Sequence, residues 1–401
     1  MRVVVSGFDS RGGVEPLVAL AVRLRELGAE VSVCLPPDEE FEKRLAGAGV
    51  EMVPFGPSVR PAATAAKPMG AKGLPQRAVE VIANQHEALS KVAEGADVLL
   101  ATGVMPACAG ARSLADKLGL RYVYATFQQL TLPSPFHPPI AYPGRPFPPD
   151  ADIPAMWDWD AQSIDLLFRD AVNGHRAGLG LPPVGDVRDY VITDRPLLAA
   201  DPVLSPWRPA DLDVVQTGAW LQRDERPLPR ELLDFLDAGE PPVYVGFGSM
   251  PMRGSTDLGR VVVDAVRKVG RRAVLSRGWA DLDLIDDADD CVTVGEANHQ
   301  ALFRRAAAVV HHGGAGTTVT ASWSGVPQVV VPQVADQPYW ASRVAALGIG
   351  VAHDGPVPTV DSLAKALDTA LRSQTRARAS VVSGSIRADG TTVAAELLLD
   401  A

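Results

Sequence analysis

The chain predicts an α/β protein made of two doubly wound, Rossmann-like parallel-sheet domains. Three observations lead there. Its 401 residues exceed what one typical core organises. Short apolar runs alternate with helical stretches along the whole length, the pattern of βαβ units with right-handed crossovers. Loops rich in glycine and polar residues stand just past several of those runs: SGFDSRGG (6–13), GFGSM (246–250), SRGW (276–279) and HHGGAGTT (311–318).

The first half opens with the strand VVVSG (3–7), then a helix over 15–27, VSVCL (31–35), a helix over 39–46 and MVPF (52–55). A small-residue stretch carrying lysines (57–73) reads as a mobile surface loop. A helix over 76–93, DVLLATG (97–103), a helix over 107–117 and YVYATF (122–127) follow. Nine prolines between 133 and 154, accompanied by Phe136, His137, Tyr142 and Phe147 with Trp157 and Trp159 nearby, exclude both a helix and a central strand. A long ordered loop of this kind, offering flat apolar area, is expected to contact a ligand. A helix over 161–179 and PLLAAD (196–201) complete this half.

Prolines and charges over 202–213 and 223–229 break the pattern as a domain boundary does. The second half runs through VYVGFGSM (243–250), a helix over 257–269, RAVLSRG (272–278), CVTVGE (291–296), a short helix over 299–306 and the strand leading into HHGG. PQVVVPQ (327–333), a helix over 338–347, GVAHD (350–354) and a helix over 360–371 follow. The expected division is an N-terminal domain over 1–205, a linker over 206–229, a C-terminal domain over 230–375, and a closing helix over 376–401 packed back on the first domain. Open parallel sheets bind ligands beyond the carboxyl ends of their strands, so two facing sheets would make a cleft.

A formal charge of −10 argues against a nucleic-acid surface, so an anionic ligand must be held by turns and a few side chains. Cys34, Cys108 and Cys291 match no metal or disulfide spacing and read as buried thiols. No apolar run is long enough to span a bilayer, and MRVVVSG enters a strand without the features of a secretory signal. A soluble, cytoplasmic protein is expected, with no nucleic-acid or membrane partner. The acidic run DDADD (286–290) resembles a metal motif superficially but reads as a solvated loop.

HHGGAGTT is the strongest local signal. Its glycines let the backbone approach a ligand closely, and the amides opening the following helix direct unsatisfied donors and a positive dipole end outward. A diphosphate fits such a turn. His312 is placed to reach it, whereas His311 turns into the core because neighbouring residues at a strand end alternate faces. The hydroxyls of Thr317 and Thr318 serve as ligand donors or as caps, and Ser249 stands in the same way after its own turn. Trp279 is a stacking platform for a base or a core residue. Asp336 and Gln337 open a helix with a carboxylate and an amide, a pair suited to sugar hydroxyls, although an N-cap aspartate has the same pattern. The lysine of a Walker loop and the GxGxxG of a dinucleotide fold are both missing.

HHGGAGTT followed by PQVADQP, with GFGS before and SRGW between, resembles the nucleotide-sugar domain of natural-product glycosyltransferases of the GT-B fold. SRGGVEPLVALAVRLRELGAEV, ADPVLSPWRP, VQTGAW and RADGTTVAA extend the likeness to the enzymes that glycosylate glycopeptide antibiotics of the vancomycin and teicoplanin group. The resemblance implies an inverting, metal-independent transferase without a cofactor. It would move a sugar from a UDP- or TDP-sugar to a glycopeptide aglycone. It also implies that Ser10, Arg11, Ser249, His312, Gly314, Gly316 and Thr317 hold the diphosphate, Trp279 and Val294 lie along the base, and Asp336 and Gln337 hold the sugar. Phe136, His137 and Tyr142 are the candidate acceptor contacts.

One position departs from the family pattern. The first loop of these enzymes usually reads SRGDTEP, whose aspartate is a proposed base, and here the position is Gly13. Direct inversion needs a proton acceptor. Asp9 in the same loop is the first substitute and Asp336 the second, while Glu15 opens the next helix, where its charge is favourable. A sugar-nucleotide epimerase and a non-catalytic nucleotide-sugar-binding protein are the competing functions.

Overall fold

The structure, a computed structural model, describes residues 1–61, 73–252, 257–280, 282–284, 286 and 288–400. Most of the loop expected over 57–73, and part of the acidic run, lie outside them. The chain divides into two compact units, one of Met1–Pro202, Pro206–Gln222 and Arg387–Ala401, the other of Val203–Ser205 and Arg223–Ile386.

The first unit contains β1 (Arg2–Phe8), α1 (Arg11–Glu26), β2 (Glu30–Leu35), α2 (Glu39–Gly47), β3 (Glu51–Pro54), α3 (Leu74–Ala93), β4 (Val98–Gly103), α4 (Met105–Leu118), β5 (Arg121–Thr126), α5 (Ile153–Gly178), α6 (Val187–Ile192), β6 (Leu197–Leu198) and β7 (Val215–Gln216). The second contains α7 (Arg230–Asp237), β8 (Val243–Gly246), α8 (Leu258–Lys268), β9 (Ala273–Ser276), β10 (Cys291–Val294), α9 (His299–Phe303), β11 (Ala308–His311), α10 (Ala315–Trp323), β12 (Gln328–Val330), α11 (Gln337–Ala346), β13 (Gly350–Ala352), α12 (Val360–Ala370) and α13 (Ser373–Ser383). A last helix, α14 (Gly390–Leu399), belongs to the first unit.

Both sheets are parallel throughout, with orders β3-β2-β1-β4-β5-β6-β7 and β10-β9-β8-β11-β12-β13. These are two doubly wound Rossmann-like sheets, as the alternation predicts. The strand order reverses between β1 and β4 in one and between β8 and β11 in the other. Their central strands read as unbroken apolar runs because helices cover both faces. Val3, Val5, Val98, Leu100, Leu17, Leu20 and Leu24 are buried in the first core, and Val243, Val245, Val310 and Val329 in the second.

Several elements depart from the expected limits. The first turn of α1 closes at Arg11, because the amides of Gly13 and Val14 both donate to the Ser10 carbonyl (3.0 and 3.2 Å), so Gly12 and Gly13 are helical. The helix after the proline-rich stretch begins at Ile153, where Asp152 caps it by accepting from the Ala155 amide at 2.9 Å, which puts Trp157 and Trp159 on a helix instead of a loop. The segment expected as one closing helix is two, α13 and α14, split between the units. Ala394, Ala395 and Leu398 of α14 enter the first core, and Arg121 donates to the carbonyls of Leu397 and Leu398 (3.0 and 3.1 Å). Residues 203–205 join the second unit because Tyr339 donates to the Ser205 hydroxyl (3.0 Å) and Arg343 to the Leu204 carbonyl (2.7 Å).

Candidate active site

The strand reversal of the second unit sets the end of β8 beside the end of β11, and glycines shape that point. A Cβ on Gly248 would stand 3.4 Å from Cε1 of His312, and one on Gly314 would stand 2.6 Å from its Nε2. The imidazole thus lies between two residues that lack side chains. A Cβ on Gly278 would approach the Gly248 carbonyl to 2.6 Å, and that same oxygen accepts the Trp279 amide at 2.8 Å. Three of the glycine-bearing loops therefore meet at one place.

His311 turns the other way and is fully buried. Its Nδ1 accepts from the Gly313 amide (3.1 Å), which leaves Nε2 to donate to Oε1 of Gln328 (2.9 Å) and so defines the neutral tautomer. Nδ1 of His312 is covered and has no protein hydrogen-bond partner. A buried polar atom of that kind calls for an explanation, and a ligand supplies one.

The N-cap of α10, Gly314, makes no side-chain cap bond, so the opening amides keep their donor capacity. Thr318 donates its hydroxyl back to the Gly314 carbonyl at 2.9 Å and is structural. Thr317 and Ser249 are half-buried, and Gly316 is exposed with nothing within 4 Å of where its Cβ would be. Trp279 is half-buried on its 3-10 turn, as a platform would be. The Val294 side chain belongs to a core cluster with Tyr244 and Phe303, while its carbonyl accepts the Arg277 amide at 3.3 Å.

The DQP turn joins the same region through Gly313, whose Cβ would lie 3.1 Å from the Gln337 carbonyl. Asp336 accepts at Oδ2 from the indole of Trp340 (2.6 Å), a fully buried residue, and burial raises the pKa of its carboxyl. Gln337 uses its Oε1 to accept the amides of Gln333 and Val334 (2.8 and 3.1 Å), which leaves its amide nitrogen for a ligand. Trp340, the partner of the Asp336 carboxylate, is a residue that sequence reasoning misses. Its signal is the i, i+4 spacing from Asp336 on one helix face.

In the first unit, Asp9 follows β1 directly and accepts the Ser10 amide at Oδ1 (2.6 Å). Ser10 is the N-cap of α1 and makes no side-chain cap bond. Arg11 donates to Glu15 (3.2 Å), which also accepts from Arg44 (3.0 Å). Phe136 is 41% exposed and carries the Arg208 guanidinium over its ring at 3.8 Å. His137 is buried between Trp157 and Trp207, each 5.8 Å away, and Tyr142 packs edge-on against Phe168 at 5.8 Å. Of the three aromatic candidates Phe136 is exposed, Tyr142 half-buried and His137 buried. In the described part of the acidic run Arg267 pairs with both Asp286 (2.7 Å) and Asp290 (2.8 Å). Among the described residues no group of three or more His, Cys, Asp or Glu is arranged to hold a metal ion.

Burial drives the histidine pKa values down from 6.5, to about 3 for His311 and about 4 for His312 and His175, with neighbouring positive charge adding to the shift at His311 and His175. Unfolding lets these groups take protons that the fold refuses. Their contribution is complete above about pH 6.5 and is lost as pH falls toward 4 and below. Asp160, raised to about 6 by burial, and Asp336, also raised by burial, oppose this trend, while His137, lowered by burial, adds to it. Four histidines outweigh two carboxyls, so the urea midpoint at pH 5 is expected below that at pH 7.5. Equal midpoints would contradict the burial described.

Residues 261–393 match the family model for the C-terminal domain of erythromycin biosynthesis protein CIII-like proteins. The chain is 54% identical to the vancomycin aglycone glucosyltransferase of Amycolatopsis orientalis, over all of this chain and 98% of that one. It is 52% identical to the dTDP-epi-vancosaminyltransferase of the same organism, again over all of this chain and 98% of the relative. Among solved structures, the glycotransferase of kitacinnamycin superposes with a TM-score of 0.71 at 21% identity, covering all of this chain and 98% of its own. Whole-chain identity above one half, two doubly wound units and a glycine-framed turn after β11 agree, and the chain belongs to the GT-B glycosyltransferase family of glycopeptide-antibiotic biosynthesis.

Proposed function

We propose that this glycosyltransferase moves a sugar, with inversion, from a UDP- or TDP-sugar to a hydroxyl of a glycopeptide antibiotic aglycone or its glycosylated form. The observation that carries the reading is the seating of His312 between Gly248 and Gly314 at the mouth of α10. As the bond from the anomeric carbon to the diphosphate breaks, negative charge grows on the departing oxygens. Donors already fixed in place stabilise that charge without having to reorganise. The α10 amides around Gly314, Gly316 and Thr317, the imidazole of His312 and the Ser249 hydroxyl fill this role.

Trp279 and the strand end at Val294 flank the base. The Asp336 carboxylate, oriented by Trp340, accepts from sugar hydroxyls, and the Gln337 amide donates to one. Phe136 supplies an apolar face for the acceptor, and His137 and Tyr142 hold the loop that presents it. A cytoplasmic site of action belongs to the same proposal; among the described residues no helix is long and apolar enough to cross a membrane.

The test is to incubate the protein with UDP- and TDP-sugars and a heptapeptide aglycone and to follow the masses. An aglycone heavier by one sugar is the expected product. An altered free sugar nucleotide would replace transfer by epimerisation, and an unchanged mixture would leave a nucleotide-sugar-binding protein.

A further inference from the structure

The strand order of the first unit reverses between β1 and β4, where a doubly wound sheet presents its ligand crevice. The ends of those two strands touch there: a Cβ on Gly103 would lie 2.7 Å from the Phe8 carbonyl. Asp9 is the next residue. Its side chain folds over the first turn of α1, so that a Cβ on Gly13 would stand 2.5 Å from Oδ2, 2.7 Å from Cγ and 2.6 Å from Cβ of Asp9. Position 13 and the Asp9 carboxylate thus compete for one volume, and glycine concedes it.

Other carboxylates on this edge are committed elsewhere. Asp38 is buried and accepts from the Ser58 hydroxyl and from the amides of Val59 (2.9 Å) and Arg60 (3.2 Å). Glu15 is bridged by Arg11 (3.2 Å) and Arg44 (3.0 Å). Asp160 is 7% exposed and faces Arg188 at 3.8 Å, and Asp152 caps α5. His137 has its Nε2 covered within the tryptophan box. Asp9 is exposed.

We propose that Asp9 is the general base of the transfer, seated on Gly13 in the volume a side chain at position 13 would otherwise fill; this rests on the transferase reading above. The acceptor hydroxyl gives its proton to the Asp9 carboxylate as its oxygen bonds to the anomeric carbon. The bond from that carbon to the diphosphate oxygen breaks, and its electron pair leaves with the nucleoside diphosphate.

The experiment compares kcat and TDP affinity in the wild type, Asp9→Asn, Gly13→Ala and the double variant Asp9→Gly with Gly13→Asp. Asp9→Asn is expected to lose about 10²- to 10⁴-fold in kcat, with TDP affinity and melting temperature nearly unchanged and the acidic limb of the kcat–pH profile gone. Gly13→Ala should fold, bind TDP and lose about tenfold or more in kcat, because its methyl group displaces the carboxylate. The double variant, in which glycine at position 9 vacates that volume, should recover about tenfold over Asp9→Asn by returning a carboxylate to it. Asp9→Asn turning over at near wild-type rate, a loss confined to TDP affinity, or a double variant no faster than Asp9→Asn would each overturn the proposal. A wild type that makes no glycoside would instead refute the transferase reading itself.

Discussion

Replacing His312 with alanine is expected to lower kcat/KM for sugar transfer about 10²- to 10³-fold, the range for removing one preorganised donor to developing negative charge. The side chain is held on two sides by backbone that has no Cβ, so water or a neighbouring residue cannot reproduce its position. Burial keeps the free imidazole neutral, down to about 4, so in the free enzyme it has one N–H to offer and carries no charge. A diphosphate beside it favours the protonated form. His312→Ala should therefore weaken TDP binding as well as turnover, and the TDP affinity of the wild type should rise as pH falls below 7 while that of the variant should not. Unaltered kcat/KM in His312→Ala, measured against a saturating aglycone, would remove the residue from the diphosphate site.

The glycines of the same turn are expected to separate stability from binding. Gly313 has φ +93°, and its Cβ would meet Val330 Cγ1 at 2.7 Å. Alanine there combines a strained backbone with overpacking, each costing about 1–3 kcal/mol, so Gly313→Ala should be destabilised by about 2–5 kcal/mol in urea unfolding. Gly316 stands inside α10 with open space where its Cβ would be. Nothing in the described fold requires glycine there, and alanine should stabilise the helix by up to about 1 kcal/mol. The same methyl group would enter the volume assigned to phosphate, so Gly316→Ala should weaken TDP binding while the melting temperature holds or rises. Strong destabilisation by Gly316→Ala, or a harmless Gly313→Ala, would mean that the turn is built differently.

Much of this architecture is legible in the chain itself. The strand runs 3–7, 97–103 and 243–246 are apolar on both faces, which a covered parallel sheet demands, and they form β1, β4 and β8. The opposite fates of His311 and His312 follow from strand alternation, and the burial of His311 agrees with it. The elements that escape sequence reading are short or depend on tertiary partners. Strands β6 and β7 have two residues each, too few for a period to show. The start of α1 is obscured by Pro16, which reads as a first-turn residue but lies inside the helix. The split between α13 and α14 is set by contacts on different units.

At the site, residue types are legible and their commitments are not. HHGGAGTT announces an anion turn from glycine spacing alone, yet the seating of His312 between Gly248 and Gly314 needs two segments far apart in the chain. Phe136, His137 and Tyr142 form one aromatic cluster in the sequence, but packing against Trp157 and Trp207 takes His137 inward, while Tyr142 against Phe168 stays half-buried. Gly13 reads as a missing carboxylate, and only three dimensions place Asp9 over it.

The most direct test of the account is a crystal of the protein soaked with TDP or UDP. The diphosphate should lie against the amides of Ala315, Gly316 and Thr317 within hydrogen-bond distance of His312, with the pyrimidine beside Trp279. Density for the nucleotide at any other place, with the turn between β11 and α10 left to solvent, would contradict it.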